Sequence, residues 1–295
     1  MQVGGRDLKK IVDAVLRRRN YTAAINMVRR YHHPVNMFRR YLTRSGEYPC
    51  VVRVRAPRAV LDLNLYSPDD VLTVNEIFCR DDYPACVCDQ VVVDFGSNIG
   101  ISAAYFLSRS PSAFTYLFEP LPTNISRLRD NLRWFDGRYE LQEVAVNVTD
   151  GEVEFGWEET GRYGGVNNAD LGHTLTVTAV NSRTVLQDVI DKHGHIDILK
   201  VDIEGLEEAV IDNIPLDVAR RIRKLYVEAI FETNPLAHTH SLVHYGGIAQ
   251  FRLLDSASAV PVDRHTVGTC RRCHSFTPDP RSQSSRWSAL RSSTH

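Results

Sequence analysis

The sequence lacks an apolar run that is long enough to cross a membrane. Although 43% of its 295 residues are hydrophobic, no uninterrupted apolar stretch approaches the ~18 residues that a membrane-spanning helix needs. The N-terminus also lacks the apolar h-region that precedes the cleavage site of a secretory signal peptide. We therefore expect a cytoplasmic protein with the composition of an ordinary globular domain.

Cysteine is too sparse for a self-contained zinc site. The six cysteines include one pair at CxxC spacing, Cys270 and Cys273. A structural zinc ion needs four ligands, and no second CxxC or HxxxH lies near this pair. We expect reduced thiols, and the alternative is a zinc site that also uses Cys86 and Cys88.

The central part of the chain, residues 46–263, has no excess of basic residues. The formal net charge of −1 combines +9 in residues 1–45, +5 in residues 264–295 and −15 in residues 46–263. A phosphate backbone requires a basic groove, so we expect no nucleic-acid partner for the acidic body.

The pattern of apolar residues divides the chain into three parts. Basic helices are predicted over 7–19, 21–31 and 35–42, which makes residues 1–45 a basic helical N-terminal extension. Such helices either pack on their own domain or lie peripherally on an anionic membrane surface, here the inner face. Residues 46–276 form the main domain. Residues 277–295, rich in Ser, Arg and Pro, are predicted to be a disordered tail.

Strands and helices alternate within the main domain. Antiparallel strands are predicted over 50–66, followed by a helix over 71–83. After residue 90 the predicted elements are the strand VVVDF, the helix ISAAYFLSR, the strand AFTYLFE, the helix TNISRLRDNLRWF, the strand ELQEVAV, a β insert over 152–178, the helix 182–192, the strand 196–202, the helix 205–213, the strand 223–230, the helix 240–248 and the strand 250–255. This alternation predicts an α/β fold with a parallel sheet between helices.

The turn after the strand VVVDF carries the first functional motif. An acid, Asp94, precedes Gly96 and Gly100, whereas a dinucleotide-binding fingerprint would read GxGxxG. A carboxylate at this position repels a pyrophosphate and suits a ligand that carries an ammonium and a sulfonium group. Glu119 follows the next strand, where an acid can accept both hydroxyl groups of a ribose. Together these residues indicate S-adenosylmethionine as the cofactor.

Four segments resemble a known family. They are DFGSNIG, Glu119-Pro120, Ala145-Val146 and LKVDIEGLE, within a match that runs over residues 78–255. The chain resembles the FkbM-type S-adenosylmethionine-dependent methyltransferases. The resemblance implies a Rossmann-like class I methyltransferase fold, with a mostly parallel seven-stranded sheet between helices. It also implies a cofactor-binding site made of Asp94, Gly96, Ser97, Asn98, Gly100, Glu119, Pro120, Ala145 and Asp202.

Carboxylates near the ends of two later strands are the candidate catalytic residues. Asp202 and Glu204 are two residues apart, so they point to the same side if the strand continues through them, and Lys200 is in phase with both. Glu228 ends the following strand. Three roles stay open for Asp202 and Glu204. They are a general base for a hydroxyl acceptor, ligands of a divalent cation such as Mg²⁺, or a contact of Asp202 with the methionine ammonium while Glu204 caps the next helix. No other metal site is predicted.

The resulting hypothesis is transfer of a methyl group from S-adenosylmethionine to a hydroxyl group. The resemblance places this hydroxyl on a sugar, a glycolipid or a secondary metabolite. The alternatives are an NAD(P)-dependent oxidoreductase on a related fold and a non-catalytic adaptor that binds membranes or a partner through its basic helices. The Gly- and Asn-rich loop over 161–172 is a candidate lid. His240 and His244 share one face of a predicted helix, either on the surface or near the substrate.

Overall fold

The computed structural model describes residues 2–3, 6–7, 18–158, 164–166 and 172–255, with the backbone alone for 2–3, 6–7 and 18–20. The first of two compact units, Met1–Val262, contains all of them. The second unit, Asp263–His295, lies outside the described residues, and so do the predicted tail and the CxxC pair. Among the described cysteines Cys50, Cys79 and Cys88 form no disulfide, but Cys86 is disulfide-bonded, so the expectation of reduced thiols is wrong for Cys86.

Strands and helices alternate along the described part of the chain. The strands are β1 (Gln2–Val3), β2 (Arg6–Asp7), β3 (Cys50–Arg55), β4 (Val60–Leu65), β5 (Val91–Phe95), β6 (Phe114–Phe118), β7 (Tyr139–Gln142), β8 (Ala145–Asn147), β9 (Gly151–Trp157), β10 (Gly164–Val166), β11 (His173–Asn181), β12 (Ile196–Val201), β13 (Ile222–Val227), β14 (His240–Tyr245) and β15 (Ile248–Leu253). The helices are α1 (Arg18–Arg30), α2 (Pro34–Thr43), α3 (Pro68–Val74), a π-helix (Asn75–Cys79), α4 (Ile101–Leu107), α5 (Pro122–Leu132), a 3₁₀ turn (Arg133–Phe135), α6 (Ser182–His193), α7 (Glu207–Asp212) and α8 (Leu216–Ala219).

A seven-stranded sheet forms the centre of the fold, in the order β14-β15-β13-β12-β5-β6-β7. The five strands from β13 to β7 pair in parallel, as the alternation of strands and helices predicted. At the other edge β15 pairs antiparallel with both β13 and β14, so the sheet is mixed.

The edge strand β14 corrects one prediction, because residues 240–248 do not form a helix. They form a hairpin with β15, which turns at Gly246 and Gly247, and Gly246 has a φ of 69°. Glycine adopts this left-handed conformation without a steric penalty, and a Gly-Gly pair between two strands is a strong hairpin signal. His240 and His244 therefore lie on a strand.

The central strands are buried on both faces. Every residue of β5 and of β12 is buried, which is typical of parallel strands between two helical layers. Successive side chains of these strands belong to different apolar clusters, since Val92 and Ile198 pack in one, while Val93 and Leu199 pack in the other. Charged side chains within β5 and β12 are therefore enclosed by the core.

A second, four-stranded sheet has the order β10-β9-β11-β8. The predicted β insert accounts for β9, β10 and β11. The single strand predicted from ELQEVAV was wrong, because it divides into β7, at the edge of the main sheet, and β8, which pairs in parallel with β11. This division brings Ala145 and Val146 to the side of the main sheet's carboxyl edge.

Two N-terminal helices pack on the main unit. Met27 of α1 and Met37 of α2 are buried in the same apolar cluster as Phe78, and the Asn26 side chain donates a hydrogen bond to the Cys79 carbonyl at 2.7 Å. The helix predicted over 7–19 lies largely outside the described residues, and Asp7 belongs to β2. None of the described helices has the length and apolar character needed to cross a bilayer.

Helix α3 and the π-helix replace the predicted helix over 71–83. Ser67 forms a capping box, because its hydroxyl accepts from the Asp70 N–H at 3.2 Å while Asp70 accepts from the Ser67 N–H at 2.9 Å. Capping in this way satisfies two backbone donors of the first turn, which explains why the helix begins before residue 71. The segment ends at Cys79 and brings Thr73, Glu76 and the following Arg80 to the cavity described next.

Candidate functional site

Four parallel strands end side by side, and a polar segment or acid follows each of them. Gly96 follows β5, Glu119 follows β6, Asp202 follows β12 and Glu228 follows β13. They line one cavity of about 280 Å³ at the carboxyl edge of the sheet. Ligands in open α/β sheets bind at this edge, so the topology itself marks the candidate site.

The turn after β5 is in direct contact with the residue that follows β12. Gly96 has a φ of 78°, and a Cβ atom at this position would lie 1.8 Å from the Asp202 carbonyl oxygen. No larger residue fits without moving one of the two segments. The Ser97 hydroxyl donates to the Asp94 carbonyl at 2.8 Å, which holds the turn open toward the cavity.

Asp94 is held inside the sheet and does not line the cavity. It is fully buried; Lys200 donates to its carboxylate at 3.0 Å and Ser102 at 2.5 Å. Burial raises the pKa of Asp94, although the charge of Lys200 opposes this effect. For Lys200, burial acts to lower the pKa, but the charges of Asp94 and Asp202 outweigh it and the pKa is raised. The two residues form a buried ion pair at the cavity, which Lys200 lines and Asp94 does not.

Glu119 presents a buried carboxylate to the cavity. The side chain is 5% exposed and accepts hydrogen bonds from the backbone N–H groups of Asn98 at 2.9 Å and Leu121 at 3.0 Å. Burial raises its pKa to about 7 despite these bonds. A carboxylate has about four lone-pair sites, so Glu119 can still accept a hydrogen bond from a ligand hydroxyl.

Asp202 is in contact with Glu228. The negative charge of Asp202, together with burial and a hydrogen bond between the two side chains, raises the pKa of Glu228 to about 8. Lys200 lies 3.3 Å from the Asp202 carboxylate, as their shared phase in the sequence predicted. Once Glu228 has lost its proton, its raised pKa makes it a better proton acceptor than an ordinary carboxylate.

The condition under which Asp202 and Glu204 were predicted to share one side of a strand is not met, because β12 ends at Val201, although both residues line the cavity. Glu204 has a left-handed φ of 54° and an exposed side chain at the mouth of the cavity. Glu204 does not cap the following helix, whose N-cap residue is Leu206 and which has no side-chain cap; Glu207 instead holds the loop before the helix. Its carboxylate accepts from the N–H groups of Ile203 and Gly205.

Sequence reasoning missed the part of the cavity lining that comes from α3, the π-helix and the residues that follow it. This part comprises Thr73, Glu76, Ile77, Arg80, Asp82 and Tyr83. Arg80 bonds to Glu76 at 3.2 Å and also to Asp82. The capping box at Ser67 signalled the helix that begins this part of the lining, but no sequence motif indicated that it faces the sheet edge.

The structure gathers most of the predicted site residues around one cavity. The predicted cofactor-binding residues that line it are Gly96, Ser97, Asn98, Glu119, Pro120, Ala145 and Asp202, and the predicted catalytic residues are Asp202, Glu204 and Glu228. Asp94 and Gly100 support the turn from outside the lining. His240 and His244 do not line the cavity either, and His240 bonds to Thr239 and the Ile222 carbonyl.

The second sheet closes one side of the cavity. Phe155 of β9, Ala145 of β8, and Gly164 and Val166 of β10 line it. A Cβ atom on Gly165 would lie 2.5 Å from the Glu204 carbonyl oxygen. The part of the predicted lid that the structure describes, β10, therefore packs on the segment after β12, while residues 161–163 and 167–171 lie outside the described residues.

Comparison with known proteins identifies the family. A family model described as the methyltransferase FkbM domain matches residues 94–242, which is half of the chain. The chain belongs to this family. The FkbM match includes each of the four strand ends that line the cavity, and it confirms the family that the sequence motifs suggested.

Curated relatives match parts of this FkbM methyltransferase chain. The AMB antimetabolite synthetase AmbE of Pseudomonas aeruginosa is 29% identical over 172 residues, which are 56% of this chain and 8% of AmbE. The 2-O-methyltransferase NoeI of Sinorhizobium fredii is 39% identical over 67 residues, which are 23% of this chain and 27% of NoeI. The chain thus spans less than a third of the length of either relative.

Solved structures of methyltransferases also match. One from Geobacter sulfurreducens is 16% identical with a TM-score of 0.32, and the match covers 56% of this chain and 71% of that one. A putative caffeoyl-CoA O-methyltransferase from Staphylococcus aureus is 11% identical with a TM-score of 0.34, and the match covers 62% and 82% of the two chains.

Proposed function

We propose that this FkbM-family chain transfers a methyl group from S-adenosylmethionine to a hydroxyl group. The observation that carries the proposal is the position of Glu119, a buried carboxylate that faces the same cavity as the Gly96 turn and the Asp202–Glu228 pair. Glu119 and the Gly96 turn suit an adenosyl cofactor, and the Asp202–Glu228 pair suits the removal of a proton from an acceptor.

The cavity fits the chemical groups of S-adenosylmethionine. Glu119 can accept from the ribose hydroxyls, and the backbone at Gly96 allows a ligand to approach closely. Ala145 and Phe155 offer apolar contacts to an adenine ring, while Asp202, whose side chain is 28% exposed, offers a carboxylate to an ammonium group. When bound, this cofactor supplies an activated methyl group.

The chain's own residues then act on the acceptor. A hydroxyl nucleophile must lose its proton, and a carboxylate within hydrogen-bond reach can accept it. The Asp202–Glu228 pair is in the cavity and Glu228 is ionised above about pH 8, where it acts as a base. No cluster of three or more His, Cys, Asp or Glu side chains that could bind a metal occurs in the described parts of the chain, and Mg²⁺ is not part of the proposal.

The acceptor proposed here is a sugar or another hydroxyl compound. The name of the relative NoeI, a 2-O-methyltransferase, supports a hydroxyl acceptor. The turn after β5 argues against an oxidoreductase, because it reads DFGSNIG and lacks the GxGxxG spacing of a dinucleotide-binding turn. The carboxylates that line the cavity argue against a non-catalytic adaptor.

Incubation with S-adenosylmethionine and cell extracts tests this function. The protein should add ~14 Da to at least one extract component, because a methyl group replaces a proton, and the added group should be an O-methyl ether. Heat-denatured protein is the control. Methylation of nitrogen or carbon alone would contradict hydroxyl transfer, and the absence of any methylated component would contradict the function.

Contact between the N-terminal helices and an anionic membrane is a separate proposal. Val35 and Leu42, seven residues apart on α2, are 82% and 52% exposed, and residues 18–44 contain seven arginines and no acid. Apolar side chains flanked by arginines favour an anionic bilayer surface. Sedimentation with phosphatidylglycerol vesicles, but not with phosphatidylcholine vesicles, is the expected result. Equal sedimentation with both would contradict it.

A further inference from the structure

Tyr83 packs on the sheet strand that leads to Glu228. The centroid of its ring lies 5.8 Å from that of Tyr226 in β13, and Glu228 comes two residues after Tyr226. The Glu228 N–H still donates to the neighbouring strand, at 3.0 Å, so Tyr226 and Glu228 point to the same face of the sheet. Tyr83 therefore lies over the face of the sheet that carries Glu228.

The chain on either side of Tyr83 is bonded to the same part of the sheet. The Gln250 side chain of β15 donates to the Asp82 carbonyl at 3.0 Å, and the Tyr226 hydroxyl donates to the Pro84 carbonyl at 2.5 Å. Tyr226 and Gln250 are themselves Cα partners. These bonds fix the backbone on both sides of Tyr83, and so they fix where Tyr83 stands at the cavity.

The Tyr83 side chain brings a hydroxyl group to the cavity without using it in the fold. The residue is 5% exposed and lines the cavity. Within the described parts of the chain its hydroxyl makes no hydrogen bond. Buried hydroxyl groups in proteins usually bond to another protein group or to ordered water. A ligand oxygen in the cavity can take the place of that water.

The acid pair acts on the Tyr83 hydroxyl. Burial raises the pKa of Tyr83 well above its ordinary value, and the charges of Asp202 and Glu228 raise it further. The phenol therefore keeps its proton over the range in which Glu228, with a pKa of about 8, gains and loses one. Tyr83 can donate a hydrogen bond over this range, and Glu228 can accept a proton.

We propose that Tyr83 is a further catalytic residue of the methyl transfer, and that its hydroxyl donates a hydrogen bond to the acceptor oxygen. A hydroxyl oxygen has one hydrogen and two lone pairs. The hydrogen passes as a proton to the Glu228 carboxylate, and one lone pair accepts from Tyr83. The other lone pair forms the bond to the methyl carbon, while the carbon–sulfur bond breaks and leaves its electron pair on sulfur. Tyr83 thus orients the oxygen for in-line transfer. The inference rests on the proposed function.

Tyr83→Phe tests the inference, because it removes the hydroxyl and keeps the ring. The probe is tritiated S-adenosylmethionine with a cell extract as the source of acceptor. The rate of label transfer at saturating extract should fall by about 10–100-fold, less than the effect of removing a donor to a full oxyanion. The affinity for S-adenosylhomocysteine and the urea midpoint should not fall, because the hydroxyl contacts neither the cofactor nor a described protein group.

A control and the pH profile separate the donor role from other roles. Tyr31→Phe is the matched control, because Tyr31 is 1% exposed and lies outside the cavity lining, and it should keep the wild-type rate. In Tyr83→Phe the rate should still rise through about pH 8, since Glu228 is retained. Loss of this inflection would make Tyr83 the base and overturn the inference.

The remaining outcomes distinguish this inference from the proposed function. If the wild type labels no component of the extract, the proposed function fails and the inference fails with it. If the wild type is active and Tyr83→Phe is equally active, the inference alone is overturned. A Tyr83→Phe protein with a lower urea midpoint, whose folded fraction transfers label at the wild-type rate, would assign the hydroxyl to the fold and also overturn the inference.

Discussion

Replacing Lys200 by methionine is expected to lower the free energy of unfolding by about 3–5 kcal/mol, because it leaves the Asp94 carboxylate as an uncompensated charge in the core. Asp94 is 0% exposed and Lys200 is 3% exposed, so water replaces none of the lost attraction. Ser102 then remains as the side-chain donor to Asp94. Equilibrium denaturation with urea measures the loss.

The loss of stability caused by Lys200→Met should depend on pH. Burial raises the pKa of Asp94, and removing Lys200 raises it further. The folded variant then binds a proton that the unfolded chain has released, so its stability falls as the pH rises. We expect a larger loss at about pH 8 than at about pH 5.

Two further variants test the origin of this effect. Lys192→Met removes a lysine whose side chain is 57% exposed and should change stability very little. Adding Asp94→Asn to Lys200→Met should recover part of the stability, because no buried charge is then left unpaired. A Lys200→Met variant as stable as Lys192→Met would show that the ion pair does not support the sheet.

Glu228→Gln is expected to lower kcat by about 10²–10⁴-fold, the usual effect of removing a general base. In the wild type, kcat should rise with pH through about 8, where Glu228 loses its proton. The variant should lose this inflection. The measurement is the pH dependence of kcat with the acceptor found in the extract assay.

The variant Asp202→Asn distinguishes the role of Asp202 from that of Glu228. The negative charge of Asp202 is the main cause of the raised pKa of Glu228, so removing it should move the inflection in kcat to lower pH. Glu232→Gln, an exposed acid outside the cavity lining, is the matched control. A full loss of activity in Glu204→Gln together with an active Glu228→Gln would assign the base to Glu204 instead.

The strand ends that form the site could be predicted from sequence because their pattern is local. The apolar runs of β5, β6 and β12 end in DFG, EP and DIEG, and parallel strands place such ends at one edge of a sheet. The acid at 119 and the Gly96 turn were placed correctly by this reasoning alone.

The pairings across the sheet could not be predicted, because they depend on register. Asp94 and Lys200 are Cα partners in neighbouring strands, 106 residues apart in sequence, so the carboxylate predicted to face a ligand faces a lysine. Asp202 meets Glu228 for a similar reason, since β12 ends at Val201 and periodicity no longer applies beyond it. The prediction of a helix at 240–248 was wrong because Gly246 and Gly247 turn the chain into a hairpin, which the four-residue spacing of the histidines does not reveal.

The most direct test of the account is calorimetric titration with S-adenosylmethionine. We predict one binding site in the wild type, an affinity at least about tenfold weaker in Glu119→Ala, and no change in Glu140→Ala, which removes an exposed acid of β7. Because burial raises the pKa of Glu119 to about 7, wild-type affinity should weaken as the pH falls from about 8 to about 6, where the carboxyl becomes protonated and loses charge-assisted bonds. No binding to the wild type, or equal binding to a folded Glu119→Ala protein, would contradict the account.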